Sequence, residues 1–101
     1  MDQSQFETLA TETLDALFDA LDAGAGDAEV EFEGGILTVE LADGGQYVIN
    51  RHSANRQIWV SSPKSGAWHF ERRDDRWVST RGDERLDALL GAEFGLALAL
   101  P

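Results

Sequence analysis

There is no cysteine anywhere in the 101 residues. That excludes disulfide staples, thiolate catalysis, Cys-based zinc sites and cluster ligation by this chain, and it fits a cytoplasmic setting. Only two prolines occur, with no Pro/Ser-rich linker, so residues 1–101 read as one domain. No apolar run reaches the roughly 18 residues of a membrane-spanning helix. The N-terminus has neither a basic nor an Arg-rich targeting pattern. Catalytic signatures are missing too. There is no G-x-S-x-G elbow, no phosphate-binding or dinucleotide-binding glycine loop, and the two histidines fall in unrelated elements. The expectation is a protein that is not an enzyme.

The first fifty residues also lack any lysine or arginine. They carry twelve Asp/Glu, for −12, while residues 51–101 carry seven acids and eight bases, for +1; together these give the net −11. Such a field repels nucleic acid and anionic lipid and favours cations and basic protein surfaces. The bland alternative is that the acids only keep a small domain soluble.

Asp2 or Ser4 can cap a first helix running from about Gln5 to Leu21 and ending before Gly24 and Gly26. Phe6, Leu9, Ala10, Thr13, Leu14, Leu17 and Leu21 fall in one arc at about 100° per residue and form its core face. Glu12, Asp15, Asp19 and Asp22 stack on the opposite side. Like charges at these spacings destabilise a helix, and two of them lie near the C-terminal end where the dipole disfavours anions. After a short loop, Asp27 to Glu33 alternate with strand period, Val30 and Phe32 on one face and Glu29, Glu31 and Glu33 on the other. Gly34-Gly35 and Asp43-Gly44-Gly45 turn the chain through Ile36–Leu41 and Gln46–Asn50. Gln57–Ser61, Ala67–Arg72 and Arg76–Ser79 continue the sheet. Asp83 then caps a second helix from Glu84 to about Phe94, and an apolar tail of Leu96, Leu98 and Leu100 follows. The expected fold is α+β: a two-layer sandwich with two terminal helices on one face of a roughly six-stranded antiparallel sheet.

In the strand Gln57–Ser61, Ile58 and Val60 share one face, so Trp59 points to the other, where no third helix exists to cover it. Two readings stand: Trp59 belongs to a docking surface, or a loop or terminus covers it. His52 and His69 read as exposed polar residues rather than ligands. Arg72, Arg73 and Arg76 beside Asp74-Asp75 read as a charged hairpin turn.

The helix and strand carboxylates are joined by one short loop, so Asp15, Asp19, Asp22, Asp27, Glu29, Glu31 and Glu33 are expected to line a ridge of oxygen donors. Oxygen ligands suit hard cations such as Fe³⁺, Mn²⁺, Ca²⁺ or Mg²⁺, and Fe²⁺ less selectively. The Asp27 stretch lacks the spacing of an EF-hand loop. An open ridge without a cage should bind weakly and exchangeably. A solvated acidic face is the competing reading.

Asn50-Arg51, Gln57-Ile58-Trp59-Val60-Ser61-Ser62-Pro63, Gly66, Trp68-His69-Phe70, Glu33-Gly34-Gly35-Ile36-Leu37-Thr38, Trp77-Val78 and the acidic first helix together resemble the frataxin family, and the length and start resemble its bacterial CyaY branch. The resemblance spans nearly the whole chain. It implies the same α+β sandwich and weak Fe²⁺/Fe³⁺ binding on the acidic ridge. It also implies docking to the cysteine desulfurase and the scaffold of iron–sulfur cluster assembly in the bacterial cytoplasm. By the same resemblance Asp19, Asp22, Asp27, Glu29, Glu31 and Glu33 are ridge acids, with Asp19 and Asp22 also meeting a partner, and Asn50, Gln57 and Trp59 form the sheet surface presented to partners. In that branch the protein usually slows assembly when iron is plentiful. Phe18, Ala23 and Ala25 replace acids often found in relatives, which bears on iron stoichiometry. A monomer is expected, with iron-dependent oligomers under the alternative of an iron-storing ferroxidase. That alternative lacks a Glu-x-x-His pair on a helical bundle. A third possibility is an acidic binding domain with no metal role.

Overall fold

The first helix starts where its orphan backbone donors find a side chain. In the computed structural model, which describes residues 1–101, Asp2 accepts from the Gln5 N–H at 2.8 Å and Gln5 Oε1 accepts from the Asp2 N–H at 3.0 Å. This reciprocal capping box sets the start of α1 (Gln3–Gly24) at Asp2 rather than Ser4, earlier than the apolar pattern alone suggests. The expected core face is the observed one, with Phe6, Ala10, Thr13, Leu14, Leu17 and Leu21 buried.

Six strands follow in chain order: β1 (Glu29–Glu33), β2 (Ile36–Glu40), β3 (Gln46–His52), β4 (Gln57–Ser62), β5 (Gly66–Arg73) and β6 (Arg76–Ser79). They form one antiparallel meander in which every strand pairs with its sequence neighbour. Gly34 and Gly35, at φ +61° and +79°, make the left-handed two-residue turn that matches the twist of a hairpin. Asp74 and Asp75 adopt the same conformation at φ +50° and +64°, which Asp tolerates better than most residues. Asp27 lies in a turn before β1 and not in the strand.

The second helix, α2 (Leu86–Phe94), begins later than the sequence suggests, and Asp83 does not cap it. Ser79 N–H donates to Glu84 O at 2.7 Å and Val78 bridges to Arg85, so residues 84–85 run extended beside β6 before the helix can start. Gly95, at φ +68°, ends α2 and turns the tail back, and Leu96 N–H donates to Gly91 O at 2.9 Å. The Leu96 side chain wedges against the C-terminal end of α1, where a Cβ on Gly24 would sit 2.9 Å from it; a Cβ on Gly91 would meet the Leu96 carbonyl at 2.7 Å. Small residues at both positions let the tail lie between the helix ends.

Both helices cover one sheet face. The core joins Leu37, Val39, Tyr47, Ile49, Ile58, Val60, Phe70 and Trp77 to the helix residues Phe6, Leu14, Leu17, Leu21, Leu86 and Leu90. Phe6 meets Trp77 edge-on at 6.0 Å. The buried Thr13 hydroxyl accepts from Trp77 Nε1 at 3.0 Å and donates to Leu9 O at 2.8 Å, so both polar groups of this pair are satisfied.

Candidate functional site

The seven acids singled out by sequence are all exposed: Asp15, Asp19 and Asp22 on α1, Asp27 in the turn, and Glu29, Glu31 and Glu33 on β1. The molecule's two ion pairs, Glu71–Arg73 and Asp87–Arg85, involve none of them. Phe18 of α1 and Phe32 of β1 lie 6.1 Å apart, centroid to centroid, and tie the acid-bearing helix to the acid-bearing edge strand. Because Val30 and Phe32 pack toward the core, Glu29, Glu31 and Glu33 point to the sheet face opposite the helices. The carboxylates therefore wrap around the β1 edge instead of forming one flat row. Glu40, paired across from Glu29, joins the strand set and borders a polar depression with Glu29, Glu31, Thr38 and Gln46. No three acidic or imidazole groups converge as a metal cage. The arrangement is a set of separate oxygen donors on a strongly negative edge.

The open sheet face carries the second set. One register row crosses it as Glu33, Ile36, Asn50, Trp59 and His69, and Ile36 is 46% exposed. Asn50, Gln57 and Trp59 all lie on this face, each half-buried. Trp59 is on the outer side, as expected, but what covers it is neither a loop nor a terminus. His52 stacks on it at 3.8 Å and His69 at 4.2 Å between centroids, each within 7° of parallel. The histidines are thus half-buried ring partners, not freely exposed polar groups. Sequence reasoning missed this because the stack depends on cross-strand register, and β3 extends two residues past the expected Asn50 to include His52.

A third group was not anticipated. Glu93, near the end of α2, accepts from Tyr47 Oη at 2.7 Å, Ser62 Oγ at 2.6 Å and Ser65 Oγ at 2.6 Å. Lys64 Nζ donates to the Glu93 carbonyl at 3.1 Å, and Trp68 Nε1 to Ser65 Oγ at 2.9 Å. Burial pushes the Glu93 carboxyl up, but the three hydroxyl donors and the Lys64 charge outweigh it and hold the group below its ordinary 4.5. Tyr47 is pushed up from 10.0 to about 12, first by burial and then by the Glu93 carboxylate, against a small opposing hydrogen bond from Ser62. The network pins the turn after the Trp59 strand to the second helix. Its one sequence signal is a lone acid inside the apolar run Leu89-Leu90-Gly91-Ala92-Glu93-Phe94.

Two helices on one face of a six-stranded antiparallel sheet, with an acidic edge and an open aromatic face, define a small α+β sandwich of the frataxin type. The chain belongs to the frataxin family: the frataxin-like domain model matches residues 1–99. It is 33% identical over 104 residues to the iron–sulfur cluster assembly protein CyaY of Neisseria meningitidis serogroup B, covering 99% of this chain and 96% of that one. A trimeric frataxin from the yeast Saccharomyces cerevisiae, in complex with ferrous iron, superposes with a TM-score of 0.77 at 36% identity, covering 88% of this chain and 84% of that chain. The frataxin of Psychromonas ingrahamii shares the fold, with a TM-score of 0.78 at 20% identity over 97% and 96% of the two chains. No helix is long and apolar enough to cross a membrane.

Proposed function

We propose that this protein is a non-enzymatic regulator of iron–sulfur cluster assembly in the bacterial cytoplasm. It binds Fe²⁺/Fe³⁺ weakly on the acidic edge and docks on the cysteine desulfurase and its scaffold. The observation that carries this reading is the run of seven exposed carboxylates from α1 to β1, none ion-paired, in a chain of frataxin family. Separate oxygen donors suit a hard cation held loosely, with water completing its coordination. The same negative edge suits a basic patch on the desulfurase, and the Trp59 face suits the scaffold. A storage site needs ligands clustered and pre-organised, and the spread of these carboxylates around a strand edge supports exchange over storage.

The test is the rate of cluster formation on the scaffold by the cognate desulfurase with Fe²⁺, with and without this protein. A dose-dependent change of either sign is expected, and it should vanish when Asp19, Asp22, Glu29 and Glu31 are reversed to Lys. No change across a range of iron concentrations overturns the reading. Oxygen consumption with iron-dependent oligomers would support the storage alternative instead.

A further inference from the structure

Trp59 has no free ring face. His52 of β3 occupies one side and His69 of β5 the other. Neighbouring strands lie about 4.8 Å apart, so three parallel rings on three adjacent strands stand on edge, and the stack runs across the sheet. The indole is also fixed along its own strand, because Nε1–H donates to Gln57 Oε1 at 2.8 Å. A partner laid on this face meets three ring edges, two of them imidazole. One further atom stands out: His52 Nδ1 is buried and makes no hydrogen bond.

We propose that His52 and His69 are positioning residues that hold Trp59 edge-on and make docking on this face proton-sensitive, tight with both rings neutral and weakened when they are charged. The inference deepens the docking role proposed for the open face and rests on it. Imidazole is the side chain whose ordinary charge change falls between about pH 5 and 8. Neutral rings stack on an indole by dispersion and quadrupole contacts. A single imidazolium over an indole is also attracted to it. Two of them on opposite faces of one indole repel each other, however, and a proton on His52 Nδ1 creates a buried charged donor with no acceptor. The charged ring gains by leaving for water. His52 is free to leave on the β3 side: it is the last residue of its strand, followed by a 3₁₀ turn (Ser53–Asn55) and by Arg56 at φ +52°.

The charged neighbours do not oppose this. In the His52 register row the carboxylate is Glu71, already ion-paired to Arg73 at 3.2 Å. In the His69 row it is Glu33, at the far edge of the sheet, and two residues along β5 on the same face it is again Glu71. Glu7 of α1 accepts from Ser53 beside His52. Positive charge comes from Arg56, which follows the turn, and from Arg81, which donates to Ala67 O on β5.

The experiment is a titration of binding to the cognate iron–sulfur scaffold protein from about pH 8 to about pH 5.5, with the Trp59 indole N–H followed by NMR. For the wild-type chain the affinity should fall about tenfold across this range, and the indole signal should move with it. A double variant, His52→Phe with His69→Phe, keeps stacking rings but cannot titrate. Whatever its affinity at pH 8, that affinity should fall less than about threefold on going to acid pH. Parallel pH curves for the two proteins overturn the proposal. So does an indole signal in the wild-type chain that stays fixed, a readout that needs no variant to fold. Trp59→Ala separates the two levels. If it binds the scaffold like the wild type at pH 8, the docking role of the face fails and the proton link with it. If it loses binding while the pH curves run parallel, only the proton link fails.

Discussion

Glu93 holds the end of α2 to the β4–β5 turn through three hydroxyl donors and gains from the Lys64 charge. Replacing it with Ala removes charge-assisted bonds and leaves the Tyr47 and Ser62 hydroxyl protons without an acceptor in a part-buried site, a loss of about 2 kcal/mol by denaturant unfolding. The pH dependence follows from the direction of its shift. A carboxyl held below its ordinary value stabilises the fold above the unfolded value of 4.5, and that contribution disappears as pH falls through the folded value. The stability difference between wild type and Glu93→Gln should therefore shrink on acidification below 4.5. Tyr47 works in the opposite sense. The unfolded phenol ionises near 10.0 and the folded one near about 12, so stability should fall as pH rises through that interval, and less so in Tyr47→Phe. Trp59→Ala removes a ring held between two imidazoles on an otherwise open face, so its cost to stability should be about 1 kcal/mol. A melting temperature lowered as far as by a core truncation would place Trp59 in the core instead. The outward direction of Trp59 follows from strand period alone. Its histidine partners do not, since they belong to strands 7 and 10 residues away in sequence and meet it only through register.

At the level of elements, α1 carries Asp19 and Asp22 toward its C-terminal end with no basic residue in the last turn. Reversing both to Lys exchanges an unfavourable dipole interaction for a favourable one and should raise stability by about 0.5 to 1 kcal/mol while weakening desulfurase binding. Unchanged binding would remove the helix acids from the docking surface. The tail is an element of its own kind. Leu96→Ala removes the side chain packed on Gly24 while leaving the carbonyl against Gly91 in place, and should cost about 1 to 2 kcal/mol, read as a lower denaturation midpoint with an unchanged slope. Local pattern made most of these elements legible: the α1 core face, all six strands and the glycine turns are encoded within a few residues of where they act. The start of α2 is not. Residues 84–85 are drawn out by pairing with β6, a tertiary contact that overrides the capping signal of Asp83. Strand period likewise puts the acids of β1 on one face, but their turn around the sheet edge, and the addition of Glu40, depend on the register with β2.

For the molecule as a whole, −12 of formal charge sits in the first fifty residues and +1 in the rest. Attraction to a basic partner should therefore weaken steeply with ionic strength, by an order of magnitude in affinity between about 50 mM and 300 mM salt, and the quadruple Lys reversal should flatten that slope. The buried bond from Trp77 to Thr13 joins residues 64 positions apart, and Phe6 leans on the same indole. During synthesis, then, the N-terminal half of the helix made first is among the last parts to find cover. β1 and β3 can meet the rest of its apolar stripe early, but Phe6 and Thr13 have to wait on the ribosome until β6 has emerged. A nascent chain of this protein is thus a substrate for whatever binds exposed amphipathic helices, and stalling translation before residue 77 should leave α1 open to proteases that the finished domain resists.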